Sequence, residues 1–269
     1  MLSKIKLGIS SCLLGNKVRY DGGHSHDRFL TGTLGLFADY IPVCPEVECG
    51  MPVPREALRL TGDPQTPRLL TQKTGIDHTE QMNTWAARRL ETLAGEDLCG
   101  FIFRSKSPSS GLYRIRVYGD DGKVRKNGTG LFAKAFTRAF PRIPVEEAGR
   151  LHDPKLRENF IERIFSLQRW RAVVRQKRTL GGLVAFHTQN KLLILSHSQE
   201  TYRKMGRLVA RGKEQPVNDL YDRYEALLLK ALALKTTPSK NINVLHHIMG
   251  FFKKQLSADE KQELLTVFD

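Results

Sequence analysis

The fold of this chain is decided near its start by the stretch Ile5-Lys6-Leu7-Gly8-Ile9-Ser10-Ser11-Cys12-Leu13-Leu14-Gly15. Residues 5–9 form a short apolar run, which is typical of a buried strand, and the polar residues that follow are typical of a turn. Similar apolar runs occur at residues 40–43, 98–103 and 113–118. The sequence therefore predicts a sheet of buried strands in the first half of the chain.

Helical patterns separate these apolar runs. Asp77 and Glu80 have the spacing of a capping box, and apolar residues follow at helical spacing: Met82, Ala86, Leu90 and Leu93. A second helix is predicted after residues 128–130, with Phe132, Phe136 and Phe140 on one side. This alternation predicts an α/β fold with a Rossmann-like or flavodoxin-like, mainly parallel sheet. The functional site of such a fold lies at the carboxyl ends of its strands, where Cys12 and Cys44 are found.

The pattern changes at Asp153-Pro154, which indicates a helix start because proline is favoured at the first helical position. An apolar stripe at helical spacing follows, and further helices are predicted beyond residue 198. Only residues 182–186 and 192–195 have the pattern of strands. We therefore predict two domains: an α/β domain over residues 1–148 and a mostly α-helical domain over residues 149–269.

The cysteine content and the hydropathy of the chain indicate the cellular compartment in which the protein works. The sequence has four cysteines among 269 residues, and it lacks the run of about 18 apolar residues that a membrane helix needs. We expect a cytoplasmic protein that does not span a membrane. Because the chain is long and has no dense disulfide pattern, its cysteines are expected to be thiols or metal ligands.

Two of the loops that follow predicted strands contain groups able to bind a ligand. Cys12 lies on a tight turn before a glycine-containing segment, a pattern that fits a soft-metal ligand and also a buried structural cysteine. Residues 105–112 are rich in serine. Such a loop can present hydroxyl and N–H groups to a ligand, although many serine-rich loops are only turns.

A third loop, residues 43–55, is stiffened by prolines and contains Cys44, Glu46 and Cys49. Glu46 lies two residues from a potential sulfur ligand, where a carboxylate can act as a general base. The alternative is that Glu46 is a solvated loop carboxylate, which is the more common fate of such residues.

Taken together, these three segments resemble the thiouracil desulfidase family in its longer form, which carries an extra C-terminal helical domain. The resemblance rests on Ser-Cys-Leu-Leu-Gly at residues 11–15, Cys-Pro-Glu at residues 44–46 and Ser-Pro-Ser at residues 107–109. It covers nearly the whole chain.

The resemblance implies a cofactor and a set of site residues. Similar proteins hold a 4Fe-4S cluster by three cysteines and leave one iron open to the sulfur of the substrate. Carried over to this sequence, the ligand positions are Cys12, Cys44 and Ser110. The resemblance also implies that Glu46 activates water or transfers protons, and that Ser107 lies near the substrate.

Position 110 departs from the family pattern, because serine stands where the family has its third cysteine. A serine oxygen is a harder and poorer ligand for iron than a thiolate. Three explanations are open: Cys49 replaces the missing ligand, Ser110 binds weakly, or this chain has lost its cluster.

Basic residues are concentrated in the second domain. Between residues 155 and 213 the chain has 14 lysines and arginines against three glutamates, an excess typical of proteins that bind polyanions. Basic and aromatic residues alternate at 169–171 and 202–204, which fits stacking on RNA bases beside phosphate contacts. The alternative is that these aromatic residues belong to the core. The residues predicted to bind RNA are Arg169, Trp170, Arg171, Arg175, Lys177, Arg178, Arg203, Lys204 and Arg207.

The function expected from the resemblance and the charge is desulfurisation of thiolated uracil, with 4-thiouridine in tRNA as the substrate. Free thiouracil is an alternative substrate, but a free base has no phosphates for the basic domain to bind. A non-catalytic RNA-binding protein with a remnant desulfidase domain is a second alternative, favoured by Ser110 and opposed by Glu46 and Ser107. A redox pair of Cys44 and Cys49 is a third, and it lacks the two-residue spacing of such pairs.

Overall fold

The computed structural model describes residues 4–268 of the chain. The chain divides into two compact units, the first ending at Phe160 and the second beginning at Ile161. This division falls inside a long helix and not after residue 148, and the predicted domain boundary stays a prediction. Within residues 4–268, none of the helices combines the length and the hydropathy that a membrane crossing requires.

The first unit alternates strands with helices. In chain order, its elements within the described residues are β1 (Ile5–Ser10), β2 (Ala38–Val43), α1 (Pro45–Glu48), β3 (Leu58–Thr61), β4 (Arg68–Thr71), α2 (Thr79–Ala94), β5 (Gly100–Phe103), β6 (Ile115–Tyr118), β7 (Val124–Gly128), α3 (Leu131–Ala139) and β8 (Val145–Glu147).

The main sheet of the first unit is parallel, with the strand order β2-β1-β5-β8. The strands pair because they are short and apolar, and residues such as Ile5, Leu7 and Ile9 are fully buried. Gly8 pairs with Phe101 on β5, and its missing side chain leaves room for that ring, since a Cβ would lie 2.2 Å from Phe101 Cδ2. The predicted α/β class is confirmed.

A second sheet, with the order β4-β3-β6-β7, stands apart from the parallel one. Its β3 and β6 strands are parallel, while the two outer pairs are antiparallel. Residues 115–118 belong to this second sheet, so the apolar run predicted at residues 113–118 is a strand but is not part of the parallel sheet. The second sheet is relevant to function because β6 directly follows the serine-rich loop.

The second unit is helical, as predicted. Helix α4 (Pro154–Arg175) begins in the first unit and continues into the second. The other helices of the second unit within the described residues are α5 (Leu180–His197), α6 (Gln199–Ala210), α7 (Val217–Leu232), α8 (Pro238–Phe251) and α9 (Ala258–Phe268).

The prediction of strands at residues 182–186 and 192–195 is wrong, because both segments lie within α5. Thr179 begins this helix by accepting a hydrogen bond from the N–H of Gly182 at 3.0 Å. Apolar residues occur on most sides of α5, so its pattern lacks the polar face that distinguishes a surface helix from a buried strand.

The core of the second unit is built around Trp170, which is 1% exposed. Its ring stacks on Tyr224 with 5.1 Å between centroids and meets Tyr221 at 5.4 Å. A buried ring has no face available to a base, so the predicted stacking of Trp170 on RNA is wrong. Trp170 holds helices α4 and α7 together, which is the alternative considered for it from the sequence.

Candidate active site

A cavity of about 380 Å³ lies in the first unit at the carboxyl ends of β1, β2 and β5. Segments that directly follow these strands line it: Ser11 and Cys12 after β1, Cys44, Pro45 and Glu46 after β2, and residues 104–110 after β5. Parallel strands bring their carboxyl ends to one edge of a sheet, so segments far apart in the sequence meet there. The structure thereby brings together Cys12, Cys44, Glu46, Ser107 and Ser110.

The two cavity thiols occupy shielded positions. Cys12 is 8% exposed, in the short 3-10 turn Ser11–Leu14, and burial raises the pKa of its thiol to about 11, against the opposing effect of Arg104. Burial also raises the pKa of Cys44, whose N–H donates to Glu48 Oε1 at 2.8 Å. Both thiols are therefore protonated at neutral pH unless a metal displaces their protons.

The serine-rich loop is held against the start of helix α3. The N–H groups of Phe132 and Leu131 donate to the carbonyls of Ser109 and Pro108 at 2.9 and 3.2 Å. Gly130 allows this approach, because a Cβ there would lie 2.6 Å from the backbone of Ser109. The first turn of a helix has N–H groups without partners inside the helix, and this loop satisfies them. Ser110 is 3% exposed at the cavity wall.

Glu46 is held in the cavity by a chain of hydrogen bonds and an ion pair. Ser109 Oγ donates to Glu46 Oε1 at 2.7 Å, and Arg55 Nε donates to Glu46 Oε2 at 3.0 Å. Ser107 Oγ lies 2.9 Å from Ser109 Oγ. Because the Ser109 hydroxyl donates to Glu46, it accepts from Ser107, so the hydrogen bonds run from Ser107 through Ser109 to the carboxylate. This arrangement can hold and pass on a proton.

Arg55 connects the loops around the cavity. Its guanidinium also donates to the carbonyls of Val18 at 3.0 Å and Pro52 at 3.2 Å. The side chains of Arg55 and Glu46 are only 5% and 16% exposed. A charged pair so far from water depends on each partner, since either one alone would be an uncompensated buried charge.

Arg104 contributes a positive charge to the cavity wall. Its Nε is buried and has no hydrogen-bond partner in the part of the chain that the structure describes. Most buried polar atoms in proteins are paired, so this guanidinium is suited to a negatively charged group inside the cavity. Arg104 is also the cation with the largest effect on the Cys12 thiol.

The cavity contains donors of the kind that bind an iron-sulfur cluster, two thiols and one hydroxyl. Two thiols and the Ser110 hydroxyl line one cavity beside Arg104, which would balance the negative charge of a thiolate-ligated cluster. Among residues 4–268, no three His, Cys, Asp or Glu side chains are grouped to hold a metal ion. The chemistry of these three donors fits a cluster, and the Ser110 oxygen is the donor with the lower affinity for iron.

Cys49 does not line this cavity as far as the structure describes the chain. Its thiol donates to the carbonyl of Glu46 at 3.2 Å, and its side chain packs against the buried group around Met51 and Leu60. This placement opposes the explanation in which Cys49 replaces the missing ligand. Cys44 lines the cavity and Cys49 does not, and both are free thiols.

The residues predicted to bind RNA lie in the second unit and are not all available. Arg203, Lys204 and Arg207 on α6 are exposed and line surface grooves. Arg178 lies 3.6 Å from Asp222, and Arg169 donates to Ser166 Oγ at 3.1 Å. The remaining predicted residues line none of the described grooves: Arg171, Arg175 and Lys177.

Sequence reasoning did not single out Arg55, Ser109 or Arg104 as site residues. Ser109 lies inside the motif at residues 107–109, and Arg55 is the last residue of the proline-containing loop at residues 43–55, so these positions were a usable signal. Arg104 directly follows β5, as Cys12 and Cys44 closely follow β1 and β2, and this position after a parallel strand was the signal for it.

The fold and the site define an α/β domain with a thiol-lined cavity, joined to a basic helical domain. The family model described as 2-thiouracil desulfurase matches residues 7–148. The chain belongs to this family, as the resemblance of its motifs predicts. A second family model, described as a protein of unknown function (DUF1722), matches residues 191–269.

Two individual proteins are similar to parts of the chain. The uncharacterized protein YbgA of Escherichia coli (strain K12) is 33% identical over 108 residues, which is 40% of this chain and 64% of that protein. The chain thus spans less than two thirds of that relative. The solved structure of a 4Fe-4S-dependent thiouracil desulfidase, TudS, shares 29% sequence identity, with a TM-score of 0.43, over 56% of this chain and 95% of that chain.

Replacing Arg55 with alanine should lower the free energy of unfolding by about 3 kcal/mol, because Glu46 would be left as a buried charge without its partner. Urea unfolding followed by circular dichroism measures the change. Arg125→Ala is the control, since Arg125 and Asp121 form a pair that is 41% and 42% exposed, and such pairs contribute at most about 1 kcal/mol. Equal losses in the two variants would contradict the role of Arg55.

Alkylation of the metal-free protein should show the effect of burial on Cys12. With a pKa of about 11, only about a thousandth of this thiol is ionised at pH 8, against roughly a quarter for an ordinary cysteine. Mass spectrometry after iodoacetamide treatment should find Cys12 far slower than free cysteine. Arg104→Gln should move the pH midpoint of alkylation upward, because it removes a cation that favours the thiolate. Modification of Cys12 at pH 8 at the rate of free cysteine would refute this account.

Proposed function

We propose that this chain is a desulfidase that exchanges the sulfur of a thiolated uracil for oxygen, with 4-thiouridine in tRNA as its substrate. The observation that carries the proposal is the convergence of Cys12, Cys44, Glu46, Ser107 and Ser110 on one cavity in the part of the chain that matches the family. The reaction consumes water and a thiocarbonyl and yields a carbonyl and hydrogen sulfide, without net oxidation or reduction. A cytoplasmic location is part of the proposal, because free thiol ligands require a reducing compartment.

In this proposal, Cys12, Cys44 and Ser110 would hold a 4Fe-4S cluster. When bound, the cluster supplies an iron that acts as a Lewis acid toward the sulfur of the substrate. Ser110 provides the weakest bond, because a hard oxygen donor suits this iron less than a thiolate does. Arg104, which lines the same cavity and acts on the Cys12 thiol, would balance the negative charge of a thiolate-ligated cluster.

Glu46 is proposed to take a proton from the attacking water. Arg55 and Ser109 each engage one oxygen of its carboxylate, and this fixes the direction in which the group faces the cavity. A positioned general base contributes roughly 10²- to 10⁴-fold to a rate. Ser109 is a positioning residue in this scheme, since it acts through Glu46.

Ser107 is proposed to contact the pyrimidine and to pass on a proton. Its Oγ accepts hydrogen bonds from the N–H groups of Ser109 and Ser110 at 3.3 and 3.1 Å. These bonds fix the hydroxyl oxygen, and its hydrogen points along the chain to Ser109 and Glu46. The first proton that Glu46 takes from water can return along this chain to the departing sulfur. The second proton of the water leaves when the new carbonyl forms, and Glu46 can take it in turn and pass it to the sulfur, so that hydrogen sulfide departs with both protons.

RNA as the form of the substrate is supported by the charge of the second unit. Lys204, Arg207, Arg211 and Arg223 line a groove of about 720 Å³ that contains one acidic residue, Glu214. Such a groove attracts a polyphosphate chain but gains nothing from a neutral free base. Free thiouracil remains the alternative substrate.

A non-catalytic RNA-binding protein is the competing function, and it is favoured by the oxygen donor at position 110. The intact hydrogen-bond chain between Ser107 and Glu46 favours the enzyme, because a remnant site has no need to keep it. The two functions differ in whether the chain binds a cluster at all, and reconstitution separates them.

Anaerobic reconstitution with iron and sulfide tests the third ligand. Ser110→Cys should lose iron to a chelator at least about tenfold more slowly than the unmodified chain, since even outer-shell changes alter metal affinity tenfold or more. Visible absorption and iron content measure this. Cys49→Ser is the matched control and should not change iron content. A cluster that depends on Cys49, or an equal rate of iron loss in both chains, would contradict the ligand assignment.

Glu46→Gln keeps an oxygen that can accept the hydrogen bond of Arg55, so iron content should stay close to that of the unmodified chain. Sulfide release from 4-thiouridine should fall at least about 100-fold, because the amide cannot take the proton of water. Glu56→Gln is the control, since Glu56 lies beside Arg55 but bonds the Lys73–Thr74 turn and does not line the cavity. Retention of sulfide release in the Glu46 variant would remove its catalytic role.

A further inference from the structure

A second groove lies beside the cavity in the first unit and has a volume of about 480 Å³. It is formed on the second sheet, by residues of β3, β6 and β7. The groove and the cavity share four lining residues, Leu58, Gln72, Lys106 and Pro108. The two spaces therefore adjoin each other along this shared wall.

The lining of this groove is strongly basic. It contains no aspartate or glutamate among the described residues, and its cations are Arg59, Lys106, Arg114, Arg116 and Lys126. Within residues 4–268 none of these five forms an ion pair with an acidic side chain. Such a cluster repels itself in the absence of an anion and favours one strongly.

Arg59 and Arg116 show how closely the cations are placed. Leu60 pairs with Val117 on neighbouring parallel strands, so the residues that precede them, Arg59 and Arg116, lie side by side on one face. Arg59 also lies over the ring of Tyr118, with 5.6 Å to the centroid, and its buried Nε has no acceptor in the described part of the chain. A buried guanidinium N–H without a partner is suited to a phosphate oxygen.

The backbone provides an independent observation. Lys106 and Arg114 have φ angles of 61° and 54°, in the left-handed region that side-chain-bearing residues seldom adopt. They lie on either side of the loop that contains Ser107 and Ser110, and both line the groove. Strained backbone of this kind is typical of functional sites, where it aims side chains that an ordinary turn would not.

We propose that this groove binds the phosphodiester backbone of a single-stranded RNA segment whose thiolated base occupies the cavity. The proposal rests on the proposed function for the identity of that base, and it adds a phosphate site in the first unit to the basic surface of the second. In this proposal, a base in the cavity carries its ribose and flanking phosphates outward, to the adjoining groove. The groove thereby selects a nucleotide within a strand over a free base.

The test compares two double variants of the full chain. Arg116→Ala with Lys126→Ala removes two exposed groove cations, and Arg88→Ala with Lys123→Ala is the control with the same change of charge. Arg88 and Lys123 are exposed in the same unit and line neither the groove nor the cavity. The probe is a fluorescent uridine trinucleotide with 4-thiouridine in the centre, and its Kd is measured over a range of salt concentrations.

The groove variant should bind the trinucleotide on the order of tenfold more weakly than the control. The slope of log Kd against log salt should fall by at most about 1.4, because the trinucleotide has two phosphodiesters and each phosphate contact on a single strand contributes roughly 0.7. The ratio of kcat/KM for the trinucleotide to kcat/KM for free 4-thiouracil should fall by a similar factor.

Several outcomes distinguish this proposal from the proposed function. Equal Kd and equal slope in the groove variant and its control would overturn the groove. Arg203→Ala with Arg207→Ala provides a further comparison, and loss of trinucleotide binding only in that variant would also overturn it. Groove-dependent binding with no sulfide release by the reconstituted chain from either substrate would support the groove and refute the desulfidase.

Discussion

The ion pair between Arg55 and Glu46 is the interaction on which the rest of the site depends. Through Arg55 it reaches Val18 in the loop after β1, and through Glu46 it reaches Ser109 in the loop after β5. The pair itself belongs to the loop after β2. Charge-assisted hydrogen bonds in a shielded environment therefore join all three loops around the cavity. The pair organises the site cooperatively, because no loop can move without breaking a bond to a buried charge.

The parallel sheet could be predicted because its strands are apolar runs buried on both faces. The second sheet was missed because β4 and β7 contain exposed charges such as Arg68 and Lys126, and their pairing depends on contacts that local pattern does not encode. Two segments of helix α5 were wrongly predicted as strands, because apolar residues occur around the whole helix and the sequence therefore lacks the 3.6-residue periodicity of a surface helix.

The candidate site also has residues that could be predicted from the sequence and residues that could not. Cys12, Cys44 and Glu46 could be selected because each lies in a loop just after a predicted strand, and the family motifs supported them. The roles of Arg55 and Arg104 depend on which buried atoms are paired, and pairing appears only in three dimensions. Trp170 was misjudged because basic neighbours in sequence do not reveal on which side of a helix a ring lies.

The attachment of the serine-rich loop to helix α3 affects which substitutions position 110 can accept during evolution. The main chain of this loop is held by N–H groups at the start of α3 and by close contact with Gly130, not by the side chain at position 110. Exchange of serine and cysteine at that position thus replaces one atom in an unchanged framework. Most serine codons differ from a cysteine codon by a single base, so a thiol can be lost or gained at this position in one mutational step, with the rest of the site preserved.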